Sequence, residues 1–239
     1  MRTVLALLWI VVYVIITIPA MIYLSFVHKK DPWKAEKTAR FWMTLLFDGL
    51  IFLCGTKVTI EGLENVPKDR SVVYVGNHRS YFDIILTYKL SNRPTSYIAK
   101  SELQKIPFFG FWGKMMMVLF FDKKDMKASL KMILEGIDRL KNGVSVFIFP
   151  EGTRNRAPEV KPLTEFHNGS FRLASKSGAP VIPVALYKTD DIWEAHSPWA
   201  KKASVTIRFG QPVYFADLSP EDQKKPGDYF KNLVESMID

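Results

Sequence analysis

At 239 residues the chain is long enough to bury one sizeable hydrophobic core, and nothing in its composition requires a second one. The single cysteine, Cys54, excludes an internal disulfide and fits a reducing compartment. The formal net charge of +9 is compatible with nucleic acid as a partner. However, many basic residues are concentrated beside one long apolar run, which favours a membrane surface.

This apolar run covers residues 3–27 and contains no charged residue. As a helix it would extend about 38 Å, more than the roughly 30 Å hydrocarbon core of a bilayer. A second apolar stretch, residues 41–55, is too short to span and contains Asp48, which favours an interfacial or re-entrant helix. Pro19 is expected to kink the first helix. We predict an N-terminal membrane helical hairpin over residues 1–55, with the first helix either crossing the bilayer or staying in one leaflet.

A basic cluster follows the run at Lys29, Lys30, Lys34, Lys37 and Arg40. At this position the basic cluster would bind the anionic headgroups of membrane lipids. Only one basic side chain precedes the run, so the positive-inside rule puts the rest of the chain on the cytoplasmic side. We therefore expect attachment to the inner (cytoplasmic) membrane, with membrane lipids and no nucleic acid as partners.

From residue 56 onwards short apolar runs alternate with amphipathic stretches, which predicts one α/β domain over residues 56–239. Strands are predicted at KVTIEG, SVVYVG, TSYIAK, MMMVLFF, VSVFIF, PVIPVAL and SVTIRFG, that is at 57–62, 71–76, 95–100, 115–121, 144–149, 180–186 and 204–210. Helices are predicted at 83–90, 126–143, about 165–176 and 227–238. We expect a mixed, largely parallel sheet covered by helices.

The segment NHRSYFD, residues 77–83, holds a histidine and a carboxylate five positions apart. This spacing suits a turn better than one face of a strand or helix. In a structural interpretation, Ser80 and Asp83 cap the following helix. In a functional one, Asp83 accepts the ring N–H of His78 and leaves its other nitrogen as a base. The two interpretations are compatible.

A second segment, FPEGTR at residues 149–154, directly follows a predicted buried strand. In α/β sheets, ligands bind at the ends of the strands. Gly152 has no side chain and therefore permits close approach by a ligand. The planar guanidinium of Arg154 suits a phosphate. The alternative is an ordinary solvated turn.

Together these segments resemble the glycerophospholipid acyltransferase family, in particular its 1-acyl-sn-glycerol-3-phosphate acyltransferases. NHRSYFD is similar to the first conserved block of that family and FPEGTR to the third, while VIPVAL at 181–186 looks like the fourth. EGLENVP at 61–67 and YIAKSEL at 97–103 are also similar. The resemblance covers about residues 56–210.

The resemblance implies acyl transfer from a thioester, either acyl-CoA or an acyl chain carried on acyl carrier protein (acyl-ACP), to the sn-2 hydroxyl of lysophosphatidic acid. His78 would be the general base and Asp83 would orient it. The implied substrate-binding residues are Lys100, Glu151, Gly152, Thr153 and Arg154. Lys100 and Arg154 would hold the phosphate, and Glu151 would order its loop or the glycerol. No cofactor and no metal are expected.

Some features depart from the family pattern. Lys123 and Lys124 occupy the end of the second block, where an arginine is usual, and lysine lacks the bidentate fork. His167 stands where a lysine is frequent and is interpreted as a loop or substrate-facing residue. Three alternatives stay open: another lysophospholipid or glycerol 3-phosphate as acceptor, a basic membrane-bound lipid-binding module without activity, and a zinc hydrolase. The zinc hydrolase is disfavoured because His78 and Asp83 lack a third ligand at metal spacing.

Overall fold

The computed structural model describes residues 1–91, 93–122 and 124–238. Three helices open the chain: α1 (Arg2–Ile16), α2 (Ile18–Lys30) and α3 (Pro32–Cys54). The axes of α1 and α2 are bent by 53° at a break that falls two residues before Pro19. Over the described residues, each helix alone is too short or too polar to cross a membrane, whereas the bent pair together has the required length and composition.

Helix α3 is longer than the sequence predicts, because residues 41–55 continue a helix that begins at Pro32. Asp31 caps its start, with Oδ1 accepting a hydrogen bond from the Lys34 N–H (2.9 Å), and Gly55 ends it at a φ of 67°. Both α1 and α2 pack along α3. The three helices, residues 2–54, are called the arm below.

The body of the protein contains β1 (Lys57–Glu61), β2 (Val73–Gly76), α4 (Phe82–Thr87), β3 (Thr95–Lys100), α5 (Ser101–Gln104), α6 (Pro107–Met115), β4 (Leu119–Phe121), α7 (Met126–Lys141), β5 (Ser145–Ile148), α8 (Arg172–Ser177), β6 (Val181–Tyr187), β7 (Ser204–Phe209), α9 (Pro220–Lys224) and α10 (Pro226–Ser236). Within the described residues, seven strands form one sheet in the order β1-β7-β6-β2-β5-β3-β4. Each neighbouring pair in it is parallel except β6 and β7. The predicted mixed, largely parallel sheet covered by helices is confirmed.

Two predicted elements are wrong in part. Residues 115–121, predicted as one strand, contain the end of α6, a turn at Met117 with a φ of 56°, and only then β4. Pro107 explains the unpredicted helix, because its fixed φ suits a first helical turn. The helix predicted at about 165–176 begins later, with a single 3-10 turn at 168–171 leading into α8.

Alternate side chains of the central strands point to opposite faces of the sheet and build two cores. Tyr74 and Phe147 pack on one face with the arm, whereas Val73 and Val146 pack on the other with α7, α8 and α10. Strands β2 and β5 are neighbours and are buried throughout. Their carboxyl ends therefore meet at the centre of one sheet edge, where ligands bind in open α/β sheets.

Candidate active site

His78 and Asp83 meet in the turn between β2 and α4. His78 Nδ1 lies 2.7 Å from Asp83 Oδ2. When Nδ1–H donates to the carboxylate, the lone pair of Nε2 is left to accept a proton. Asp83 is fully buried and the His78 side chain is 16% exposed. The imidazole is thus anchored at one nitrogen and accessible from outside.

The Asp83 carboxylate also stabilises the turn that carries His78. Asp83 Oδ2 accepts hydrogen bonds from the backbone N–H groups of Arg79 and Ser80, both at 2.8 Å. Ser80 Oγ in turn accepts from the Phe82 N–H (3.0 Å). The capping arrangement and the orientation of the imidazole therefore depend on the same carboxylate oxygen.

The segment at residues 149–154 lies against His78. The Phe149 ring stacks on the imidazole with centroids 4.1 Å apart and planes inclined by 18°. Glu151 Oε1 accepts a hydrogen bond from the His78 N–H (2.7 Å), and the His78 carbonyl accepts one from the Asn155 N–H (2.7 Å). The two segments singled out in the sequence lie together at the ends of β2 and β5.

Glu151 is buried behind the imidazole. Its Oε2 accepts a hydrogen bond from Thr164 Oγ1, so both carboxylate oxygens are engaged. Burial raises the pKa of Glu151, although the hydrogen bonds from Thr164 and His78 oppose the shift. These contacts favour loop ordering over contact with glycerol as the role of Glu151.

Gly152 and Thr153 form the exposed tip of this loop. Gly152 has a φ of 69°, a conformation that favours glycine, and its N–H donates to the Phe149 carbonyl (3.0 Å). A Cβ at Gly152 would lie 3.4 Å from the His167 ring, so His167 borders the tip.

Arg154 is held beside the first segment. Its guanidinium carbon lies 3.6 Å from the centroid of the Tyr81 ring, within cation–π distance. Arg154 Nη1 also donates to Glu194 Oε1 (3.0 Å). The arginine expected to bind phosphate therefore adjoins the turn that carries His78.

Lys100 ends β3, the strand beside β5, and is exposed at the same sheet edge. Its ammonium group makes no hydrogen bond or ion pair within residues 1–91, 93–122 and 124–238. Lys123 lies outside the described residues. Lys124 is exposed and its N–H donates to Asp122 Oδ1 (2.9 Å) in the turn after β4. Lys124 thus follows β4, which lies one strand further from β2 than β3, the strand that ends at Lys100.

Asn77, which precedes His78, extends the pairing of two strands. Its Nδ2 donates to the Leu186 carbonyl and its Oδ1 accepts from the Leu186 N–H, both at 2.8 Å. The fully buried Asn77 side chain thereby continues the link between β2 and β6 beyond Gly76. The sequence shows an asparagine here but not which strand it contacts.

A further set of contacts comes from residues 188–196, called the brace below, which follow β6. Asp190 Oδ2 accepts from Nη2 (2.6 Å) and Nε (2.9 Å) of the buried Arg79. Glu194 accepts from Ser80 Oγ (2.6 Å) and the Tyr81 N–H (2.8 Å). Sequence reasoning missed both acids, because carboxylates in a loop are ordinary surface residues without a distinguishing pattern.

Comparison with known proteins identifies the family. A family model described as Acyltransferase matches residues 57–187, which include both segments of the site. The chain belongs to the acyltransferase family. It is an enzyme that transfers acyl groups, as the resemblance of its sequence implied.

Two relatives in the family are named for the same reaction. A 1-acyl-sn-glycerol-3-phosphate acyltransferase of Borreliella burgdorferi is 32% identical over 188 residues, which are 79% of this chain and 71% of that protein. A chloroplastic 1-acyl-sn-glycerol-3-phosphate acyltransferase of Brassica napus is 34% identical over 182 residues, 74% of this chain and 52% of that longer protein.

A solved structure has the same architecture. The crystal structure of the 1-acyl-sn-glycerophosphate (LPA) acyltransferase PlsC from Thermotoga maritima matches with a TM-score of 0.73 and 27% sequence identity. The match covers 99% of this chain and 97% of that one, so it includes the arm as well as the sheet.

Proposed function

We propose that this enzyme transfers an acyl group from a thioester to the sn-2 hydroxyl of lysophosphatidic acid, giving phosphatidic acid. The main support for this proposal is the 2.7 Å contact between His78 and Asp83 beside the 149–154 loop. The names of the relatives support lysophosphatidic acid as the acceptor.

In the proposed mechanism, His78 Nε2 takes the proton from the sn-2 hydroxyl as its oxygen attacks the thioester carbonyl. Asp83 holds the ring and stabilises the imidazolium that forms. Collapse of the tetrahedral intermediate breaks the carbon–sulfur bond, and the imidazolium returns its proton to the leaving thiolate. The nucleophile belongs to the substrate, so no acyl-enzyme is required. The donor is acyl-CoA or acyl-ACP, the acyl thioester of acyl carrier protein.

The developing oxyanion needs hydrogen-bond donors. In the 149–154 loop, the N–H of Gly152 already donates to the Phe149 carbonyl. The N–H groups of Thr153 and Arg154 make no hydrogen bond within the described residues and are two candidates in this loop. The guanidinium of Arg154 and the ammonium of Lys100 would hold the acceptor's phosphate.

The arm would attach the enzyme to the membrane. Many of its apolar side chains are exposed, including Leu8, Val11, Ile15, Ile22, Phe26, Phe41 and Phe52. Both ends of the bent α1–α2 pair contact the body: Thr3 Oγ1 accepts from the Ala200 N–H (2.7 Å), and α2 packs against α6. We infer that the arm enters one leaflet and returns to the same side, at the cytoplasmic face of the inner membrane.

The test is an assay of purified protein with lysophosphatidic acid and other lyso-acceptors, each with both donors. His78→Ala should lower turnover by about 10²- to 10⁴-fold, the usual contribution of a general base. His28→Ala, which removes a histidine of α2, is the matched control and should keep turnover within about two-fold. Near-normal turnover of a folded His78→Ala protein would refute His78 as the base.

A further inference from the structure

The brace lies beyond the residues that the family model matches and contains no residue predicted for the site. Even so, its Glu194 contacts both halves of the site. Oε2 accepts from Ser80 Oγ (2.6 Å), and Oε1 accepts from both the Tyr81 N–H (2.8 Å) and Arg154 Nη1 (3.0 Å). One carboxylate thus joins the turn that carries His78 to the arginine of the 149–154 loop.

We propose that Glu194 is a positioning residue: it fixes the Arg154 guanidinium relative to His78 and so sets where the acceptor's phosphate binds. This inference rests on the proposed function, because it requires an anionic acceptor at Arg154.

The surroundings of Arg154 restrict the guanidinium on two sides. The Tyr81 ring lies against its face and Glu194 binds Nη1, while Nε and Nη2 donate no hydrogen bond within the described residues. The side chains of Arg154 and Glu194 are 18% and 19% exposed, so water screens the pair less than it would a surface pair. The guanidinium is therefore held with N–H groups left for a phosphate.

Two effects of the Glu194 carboxylate on phosphate binding oppose each other. Its negative charge repels a phosphate, whereas its hydrogen bond from Arg154 Nη1, together with the two hydrogen bonds that fix the carboxylate to the turn after β2, holds Arg154 in place. Two substitutions separate the effects. Glu194→Gln removes the charge and keeps the length of the side chain. Glu194→Asp keeps the charge and withdraws the carboxylate by one methylene, out of reach of its three donors.

If positioning dominates, Glu194→Asp should raise the KM for lysophosphatidic acid about ten-fold and leave the KM for the acyl donor within about two-fold. Glu194→Gln should raise the acceptor KM less. Asp191→Glu is the matched control, because it also changes a brace carboxylate by one methylene. The Asp191 side chain makes no hydrogen bond or ion pair with any described residue, so its KM values should stay near wild type.

A double-mutant cycle with Arg154→Ala identifies the partner. In the Arg154→Ala background, Glu194→Asp should raise the acceptor KM less than about three-fold further, because no guanidinium is left to position. The inference would be overturned if the effects of the two substitutions on the acceptor KM multiply in the double variant. An unchanged acceptor KM in Glu194→Asp, or a larger rise in Glu194→Gln than in Glu194→Asp, would also overturn it. A wild-type chain without transfer to lysophosphatidic acid would instead overturn the proposed function, and the inference with it.

Discussion

At the scale of single residues, His78 is held by three contacts, two to its imidazole ring and one to its backbone. Asp83 binds Nδ1, Phe149 covers one ring face, and Glu151 binds the backbone N–H. The Asp83 oxygen that binds the ring also receives two backbone N–H groups. Loss of Asp83 would therefore disturb the turn as well as the tautomer, so a change of activity at this position measures both.

Glu151 gives a prediction for the pH dependence of stability. Burial raises the pKa of Glu151 in the folded state above the ordinary value of 4.5. The folded state therefore binds this proton more tightly than the unfolded state, and the difference affects stability once the pH is above 4.5. The stability that the protonated group contributes is present at low pH and is lost as the pH rises through the folded pKa. In Glu151→Gln, which cannot ionise, this loss is absent. The wild-type advantage in free energy of unfolding over Glu151→Gln should therefore decrease as pH rises above 4.5.

Urea unfolding of both proteins in detergent, from pH 4.5 upwards, measures this difference. Glu165→Gln is the matched control, since the Glu165 side chain is exposed and makes no hydrogen bond or ion pair in the described structure. Its difference from wild type should not vary in this way. A wild-type advantage over Glu151→Gln that stays constant or grows with pH would contradict the prediction.

The sequence allowed prediction of those site residues that have suitable chemistry and lie close together in the chain. His78, Asp83 and Arg154 lie in two compact segments whose residue types suit a base, its orienting acid and a phosphate ligand. Glu194 was not predictable, because 114 positions separate it from Ser80 and only the fold brings the two together. Asp190 pairs with Arg79 across 111 positions for the same reason.

At the scale of elements, the turn after β2 is positioned by the neighbouring strand. Asn77 binds both backbone groups of Leu186 in β6, and the very next residue is His78. Asn77→Ala would leave a buried N–H and a buried carbonyl unpaired. We expect a loss of about 2–4 kcal/mol in the free energy of unfolding, together with reduced turnover. Denaturant unfolding measures the loss.

Asn142→Ala is the matched control, because among the described residues the exposed Asn142 amide donates a single hydrogen bond, to the Asp138 carbonyl near the end of α7 (2.9 Å). Its cost should be well below that of Asn77→Ala. Equal costs would show that the link to Leu186 is not what stabilises the turn.

The buried strands were predictable as elements because their apolar runs are short and bounded by turn residues. The order of the strands was not, since β1 and β7 pair at the edge although they are far apart in the chain. The helix α6 was missed because its run of aromatic and methionine residues has no clear polar face. Helix α3 was underestimated because its basic first half looks like a connector.

At the scale of the whole molecule, the arm is part of the fold and not a tether ahead of it. Arg2 Nη1 donates to the Leu53 carbonyl (3.2 Å) at the end of α3, and Thr3 binds the body at Ala200. The amino terminus of α1 thus lies beside the start of the sheet. A crossing of the bilayer by α1 and α2 would separate these contacts, because it would leave Arg2 and the body on opposite sides.

Sidedness of the amino terminus therefore distinguishes insertion into one leaflet from a crossing. In a Cys54→Ala background, a short polar peptide with one cysteine is added before Met1, and Glu64→Cys serves as the matched control in the body. A membrane-impermeant maleimide is applied to sealed vesicles of either orientation. We expect both cysteines to be labelled in the same orientation, the one that exposes the cytoplasmic face. Labelling of the amino-terminal cysteine only in the opposite orientation would show that α1 and α2 span the bilayer, and the contacts of Arg2 and Thr3 would not survive in the membrane.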